Sequence, residues 1–223
     1  MASSLGERLR GLYAITPEDA DTEALVARVA LALEGGAALV QYRAKSVVPT
    51  LALAQSRRLA ALCGSFGALF IVNDSIELAS ASGADGVHLG RDDTAIAQAR
   101  RALPRAIIGV SCYSDPSAAR SAARDGADYV AIGSIFASVT KPLAVRATLS
   151  AIGEARRLSG LPVAAIGGIT LDNADEAMKA GADMLAVITA LFTAPDVRTA
   201  ARAFSDRFAA PGEERGTAKQ RAL

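Results

Sequence analysis

Gly126-Ala-Asp-Tyr-Val-Ala-Ile-Gly133 decides the fold. Its first residues close a helical pattern, and Tyr129-Val-Ala-Ile132 is a short, continuously apolar run of the kind that helices cover on both faces. The same punctuation recurs as Gly83-Ala-Asp85 before Gly86-Val-His-Leu89 and as Gly181-Ala-Asp183 before Met184-Leu-Ala-Val-Ile188. Gly35-Gly-Ala37, ahead of Leu39-Val-Gln-Tyr-Arg43, is nearly the same. Each glycine suits a left-handed helix cap, so the unit reads as a repeated helix–glycine–strand module.

Working outward, four more apolar runs complete the count: Leu12–Thr16, Leu69–Asn73, Ile107–Ser111 and Pro162–Ile166. Between and after them lie helical patterns that follow a cap at Asp21 or Thr22, then over Thr50–Cys63, Asp74–Ala81, Thr94–Leu103, Pro116–Arg124, Thr148–Leu158, Leu171–Lys179 and Asp196–Phe208. Eight strands alternating with eight helices predict an α/β fold, a (β/α)8 TIM barrel, in one domain over residues 1–210. An open doubly wound sheet is the runner-up. Residues 211–223 lack large apolar side chains before the terminal leucine and are expected to form a disordered tail.

At 223 residues the chain can bury roughly 70% of its extended surface without staples. Hydrophobic residues make up 51% and aromatics 4%, with no Trp, so Ala, Val, Leu and Ile must build the core. Lys plus Arg number 24 against 23 acidic residues, which argues against a nucleic-acid partner. Cys63 and Cys112 have no metal or disulfide spacing and read as reduced thiols of a cytoplasmic protein. No apolar run is long enough for a membrane span.

In a barrel the carboxyl ends of the strands form the active face. Gln41, Arg43 and Lys45 follow strand two in alternation, so all three share one side of an extended segment. Arg supplies a planar fork for phosphate oxygens and Lys a compact charge. Asn73 ends strand three, and Asp74 and Asp93 lie just beyond strands three and four. The two aspartates read either as helix caps or as a pair of oxygen ligands for Mg²⁺ beside substrate phosphates; the adjacent Asp92 can exchange roles with Asp93. Strand six opens into a long loop, Gly133-Ser-Ile-Phe-Ala-Ser-Val-Thr-Lys-Pro142, whose Ser138, Thr140 and Lys141 suit a cover over phosphates. Gly167-Gly168, Ile188 and Thr189 follow strands seven and eight, where barrels often hold a phosphate monoester. His88, the single histidine, reads more readily as a satisfied core or rim residue than as a base. Two unlike anion sites emerge, one rich in cations and one neutral, with no activated nucleophile.

Across Leu12 to about Phe192 the chain resembles the thiamine-phosphate synthase family. The resemblance rests on Leu12-Tyr-Ala-Ile-Thr16, Gln41-Tyr-Arg-Ala-Lys45, Ile71-Val-Asn-Asp74, Gly83 to Gly90 with Asp93, Gly126 to Gly133, Ile135-Phe136 with Thr140-Lys-Pro142, and Ala165-Ile-Gly-Gly-Ile169. It implies a transferase of thiamine biosynthesis, thiamine-phosphate diphosphorylase. That enzyme condenses 4-amino-2-methyl-5-hydroxymethylpyrimidine diphosphate with 4-methyl-5-(2-phosphoethyl)thiazole, plain or carboxylated, with Mg²⁺. It further implies that Arg43, Lys45, Asn73, Lys141 and Ser111 hold the diphosphate, and that Asp74 and Asp93 hold the metal. Gln41 would contact the pyrimidine, while Thr140, Gly168, Ile188 and Thr189 would form the thiazole-phosphate side. The implied reaction is dissociative: diphosphate leaves first and the thiazole nitrogen captures the cation. The chain departs from the family pattern at Arg91, Ser134, Ala137-Ser138 and Thr189, of which Ser138 and Thr189 keep a hydroxyl. The rival readings are a thiazole tautomerase, a non-catalytic phosphate-ligand barrel, and a sugar-phosphate aldolase or decarboxylase. The last wants a lysine inside a strand, and none is there.

Overall fold

The computed structural model describes residues 4–90, 95–137 and 145–209. Eight strands close into a parallel barrel in sequence order: β1 (Gly11–Ile15), β2 (Leu39–Tyr42), β3 (Leu69–Asn73), β4 (Gly86–Leu89), β5 (Ile107–Tyr113), β6 (Tyr129–Ile132), β7 (Val163–Ile166) and β8 (Met184–Val187). β8 closes the ring against β1 through Gly11–Met184 to Ala14–Val187. The covering helices are α2 (Thr22–Glu34), α3 (Pro49–Phe66), α4 (Ile76–Ser82), α5 (Ile96–Ala102), α6 (Ala118–Asp125), α7 (Ser150–Ser159), α8 (Ala174–Lys179) and α10 (Val197–Ser205). Two short helices went unseen in the sequence, α1 (Leu5–Arg8) and α9 (Thr189–Phe192). Four residues carry no periodicity to read.

Strand alternation creates two cores. Leu12, Ala14, Val40, Phe70 and Val72 face outward into the layer shared with the helices. Tyr13, Ile15, Leu39, Ile71, Tyr129, Ala164 and Met184 fill the barrel interior, as expected of a packed barrel rather than a pore. Gly109 matters here: a Cβ on it would lie 2.0 Å from Cζ of Tyr129, so only glycine lets that ring lie across the barrel.

The glycine punctuation holds with two adjustments. Gly83 (φ 74°) and Gly126 (φ 98°) are left-handed caps as predicted. Gly35 is right-handed at φ −74°, and Gly36 takes the positive φ instead. Gly35 is small for another reason, since a Cβ there would meet that of Ala201 at 2.3 Å. Gly181 is left-handed one residue past the cap, Ala180.

The aspartate of the module has a role that the sequence did not disclose. The Asp85 amide donates to the Phe70 carbonyl at 2.9 Å, and its carboxylate accepts from the Phe70 amide at 2.8 Å. Asp128 repeats this on Ile108 (2.7 and 2.8 Å), and Asp183 on Val163 (both 2.9 Å). Each clamp satisfies a buried strand amide at the amino-terminal end of the barrel, opposite the active face.

Other boundaries shift locally. Thr16 lies just past β1, where its Oγ1 accepts from the Arg43 amide at 3.1 Å. A bulge between Ser111 and Tyr113 carries β5 two residues beyond its expected end. α4 starts at Ile76 because Ser75, not Asp74, caps it by accepting from the Leu78 amide at 3.1 Å. α8 starts at Ala174 because the Asn173 side chain holds the preceding loop, accepting from Thr170 and donating to the Gly168 carbonyl. α10 ends at Ser205, and a 3-10 turn, Asp206–Phe208, follows. The tail expected at 211–223 lies outside the described residues.

Candidate active site

A cavity of about 650 Å³ opens at the carboxyl ends of the strands. Of the residues singled out in the sequence, Gln41, Arg43, Asn73, Ser111, Gly168, Ile188 and Thr189 line it. Tyr13, His88 and Tyr113 are further lining residues. Tyr13 is masked in the sequence by its place in an apolar strand, His88 reads there as a core or rim residue, and the bulge turns Tyr113 to the mouth. Lys45 and Asp74 sit at the rim, joined by an ion pair of 3.3 Å. Ser138, Thr140, Lys141 and Asp93 lie outside the described residues, as do Arg91 and Asp92.

Glu18, which the sequence reading passed over, organises the cationic side. Its two carboxylate oxygens accept from the amides of Lys45 and Ser46, each at 3.1 Å, and Arg43 stands 3.6 Å away. The Lys45 amide is the main reason that its carboxyl sits below the usual range, with Arg43 adding to it. The segment bearing both cations is thus tied to the end of β1 and preset before any anion arrives. Asp74 adopts φ 65°, in the left-handed region that Asp tolerates. With Ser75 holding the cap position, the carboxylate of Asp74 is left for the rim, where it meets Lys45.

The interior beneath the mouth holds a hydrogen-bonded chain. Gln41 Nε2 donates to Tyr13 Oη at 2.8 Å. Tyr13 and Tyr129 hydroxyls are 2.7 Å apart. Tyr129 Oη lies 2.9 Å from His88 Nδ1, and His88 Nε2 lies 2.9 Å from Ser111 Oγ. Burial drives the ionisation of both phenols far up, so both stay protonated. His88 is 6% exposed with both ring nitrogens engaged, as the sequence reading favoured.

The opposite wall is neutral. Gly167 (φ 96°) and Gly168 (φ 64°) turn the chain after β7. Their lack of side chains also serves packing, since a Cβ on Gly168 would lie 2.2 Å from the Ala137 carbonyl. That close approach is to the start of the β6 loop, whose Phe136 amide donates to the Gly167 carbonyl at 2.9 Å. Thr189, the first residue of the four-residue α9, lies on the cavity lining together with Gly168 and Ile188.

Among the described residues there is no group of three or more metal-ligating side chains. Among the described residues Asp74 places a carboxylate at the rim, which fits Mg²⁺, an ion commonly held by one or two carboxylates plus phosphates and water. Burial pushes the thiols of Cys63 and Cys112 up to about 12, so neither is a nucleophile.

Fold and rim chemistry together define a class, the (β/α)8 barrels whose mouth is built for anionic ligands. Residues 12–191 match the family model described as thiamine monophosphate synthase, and the chain belongs to that family. It is 54% identical over 202 residues to the thiamine-phosphate synthase of Aromatoleum aromaticum, covering 90% of this chain and 97% of that one. It is likewise 54% identical over 205 residues to the thiamine-phosphate synthase of Thiobacillus denitrificans, covering 92% of this chain and 97% of that one. Among solved structures, a thiamine phosphate pyrophosphorylase from Pyrococcus furiosus superposes with a TM-score of 0.82 at 38% identity, covering 90% of this chain and 96% of that one.

Proposed function

We propose that the two unlike walls of this cavity hold the two substrates of thiamine-phosphate synthesis. The observation that carries this division is the split itself. Arg43, Asn73 and Ser111, from the ends of β2, β3 and β5, line one part of the cavity, and Gly168 and Thr189, after β7 and β8, line another. A pyrimidine diphosphate suits the first and a thiazole monophosphate the second. Family membership supports the pairing.

In the reaction the bond between the pyrimidine methylene and the diphosphate oxygen breaks, and the electron pair leaves with diphosphate. The thiazole nitrogen then donates its lone pair to the methylene cation, forming the C–N bond. Neither step needs a protein nucleophile or base. Arg43, Lys45, Asn73 and Ser111 stabilise negative charge as it builds on the leaving group, with Lys141 as a further donor from the β6 loop. Gln41 positions the pyrimidine, while Ser138, Thr140, Gly168, Ile188 and Thr189 align the thiazole phosphate for capture. Bound by Asp74 and Asp93, Mg²⁺ would add charge neutralisation at the diphosphate.

A tautomerase would need a mobile proton carrier, and the one histidine is held at both nitrogens within the barrel. The two cysteines are buried and unbridged, which supports a cytoplasmic enzyme. Among the described residues no helix is long and apolar enough to cross a membrane.

Arg43→Ala and Thr189→Ala test the division. The first should raise KM for the pyrimidine diphosphate and the second KM for the thiazole phosphate. Matching changes in both constants from both variants would refute it.

A further inference from the structure

Two opposite directions could satisfy the chain Gln41–Tyr13–Tyr129–His88–Ser111, and the orientation of the Gln41 amide, with Nε2 toward Tyr13 Oη, selects one of them. Gln41 Nε2 can only donate, so it donates to Tyr13 Oη. Tyr13 then gives its own hydrogen to Tyr129, its neighbour at 2.7 Å. Tyr129 in turn gives its hydrogen to His88 Nδ1, which must be an acceptor. A neutral imidazole accepting at Nδ1 carries its hydrogen on Nε2, and that hydrogen goes to Ser111 Oγ. The outcome appears at the two ends, both on the cavity wall. Gln41 has committed its NH₂ inward, so its carbonyl Oε1 is the atom presented to a ligand. Ser111 receives a hydrogen bond, which leaves its O–H to be given away.

We propose that Tyr13, Tyr129 and His88 are positioning residues whose one-way hydrogen-bond chain sets Gln41 as an acceptor and Ser111 as a donor toward the substrate, and thereby selects an amino-pyrimidine diphosphate over its oxo counterpart. The assignment of substrate rests on the synthase reading above. An exocyclic amino group donates to Gln41 Oε1, whereas an oxo group would set two acceptors face to face. At the far end the Ser111 O–H meets diphosphate oxygens, which only accept. The fold makes deliberate room for the relay, because any side chain at Gly109 would strike the Tyr129 ring. Without the Tyr129 hydroxyl, Tyr13 is free to turn its hydrogen toward Gln41. The amide then gains by flipping, and its NH₂ faces the cavity.

The single histidine makes the test direct. Tag-free protein labelled with ¹⁵N-histidine should show at neutral pH one neutral imidazole with its proton on Nε2, and Tyr129→Phe should give a mixture of tautomers. In parallel, kcat/KM is measured for the 4-amino and 4-oxo pyrimidine diphosphates. Intrinsic reactivity cancels when each variant's amino-to-oxo ratio is divided by that of the wild type. That quotient should fall about tenfold, the weight of one hydrogen bond, in Tyr129→Phe and in Tyr13→Phe, the second variant guarding against misfolding of the first. A proton on Nδ1 or on both nitrogens of the wild-type ring, or an unchanged ratio in both folded variants, overturns the proposal. Wild-type protein inert toward both pyrimidines would instead sink the synthase reading, and the imidazole spectrum would still decide the relay.

Discussion

Asp128→Ala should destabilise the barrel without touching its chemistry. The carboxylate accepts from the amide of Ile108, a fully buried residue, at 2.8 Å, and pairs with Arg100 at 2.6 Å. Alanine leaves that strand amide without its acceptor, a loss of about 1–3 kcal/mol. Arg100 keeps the carbonyls of Ala106 and Gly126, at 2.7 and 2.8 Å, so its release adds little. For a domain of this size each kcal/mol moves Tm by about 2–4 °C, giving a drop of about 2–12 °C. Asp128→Asn retains an acceptor oxygen and should recover at least half of it. Calorimetry reads both variants. Their kcat/KM per folded molecule should match wild type, because the clamp lies at the end of the barrel opposite the cavity. A Tm unchanged in Asp128→Ala, or an activity loss exceeding the loss of folded protein, would refute the reasoning.

Three further expectations concern the mouth. Asp74→Ala and Asp93→Ala should each lose most activity, with added Mg²⁺ restoring part of it in at least one; activity titrated against Mg²⁺ checks this, and unchanged metal dependence in both counts against it. Lys141→Ala should slow the single-turnover rate about a hundredfold or more while leaving thiazole-phosphate affinity near wild type; a loss confined to that affinity would place Lys141 on the other wall. Glu18→Gln should raise KM for the pyrimidine diphosphate about twofold to fivefold, the scale of a solvent-screened charge contact. Because the folded Glu18 carboxyl titrates below its ordinary value, its contribution is complete above the ordinary carboxylate range and is lost as pH falls through the lowered value. The wild-type KM should therefore converge on that of Glu18→Gln in acid and not in alkali.

The barrel was legible because parallel strands covered on both faces leave continuous apolar runs, and because glycine marks the helix ends. Five of the eight strands, β2, β3, β4, β6 and β8, start at the residue read from sequence and run to within a residue of the predicted end. Rim position alone drew attention to Gln41, Arg43 and Asn73, and the resemblance gave Ser111 its role; all four are on the cavity wall. What escaped was whatever depends on partners distant in sequence. Glu18 reads as an ordinary surface acid until the fold brings the Lys45 and Ser46 amides to it. Tyr13 and Tyr129 look like core aromatics, and only barrel closure brings their hydroxyls together. The parity of Gln41, His88 and Ser111 toward the barrel interior was the one available clue to the relay.

The central claim is most directly tested by quantifying thiamine phosphate and diphosphate from purified protein with Mg²⁺, omitting each substrate in turn. The account predicts both products in equal amounts when the pyrimidine diphosphate and the thiazole phosphate are present together, and neither when one is missing. No thiamine phosphate from the complete mixture, or diphosphate released at full rate from the pyrimidine substrate alone, would contradict it.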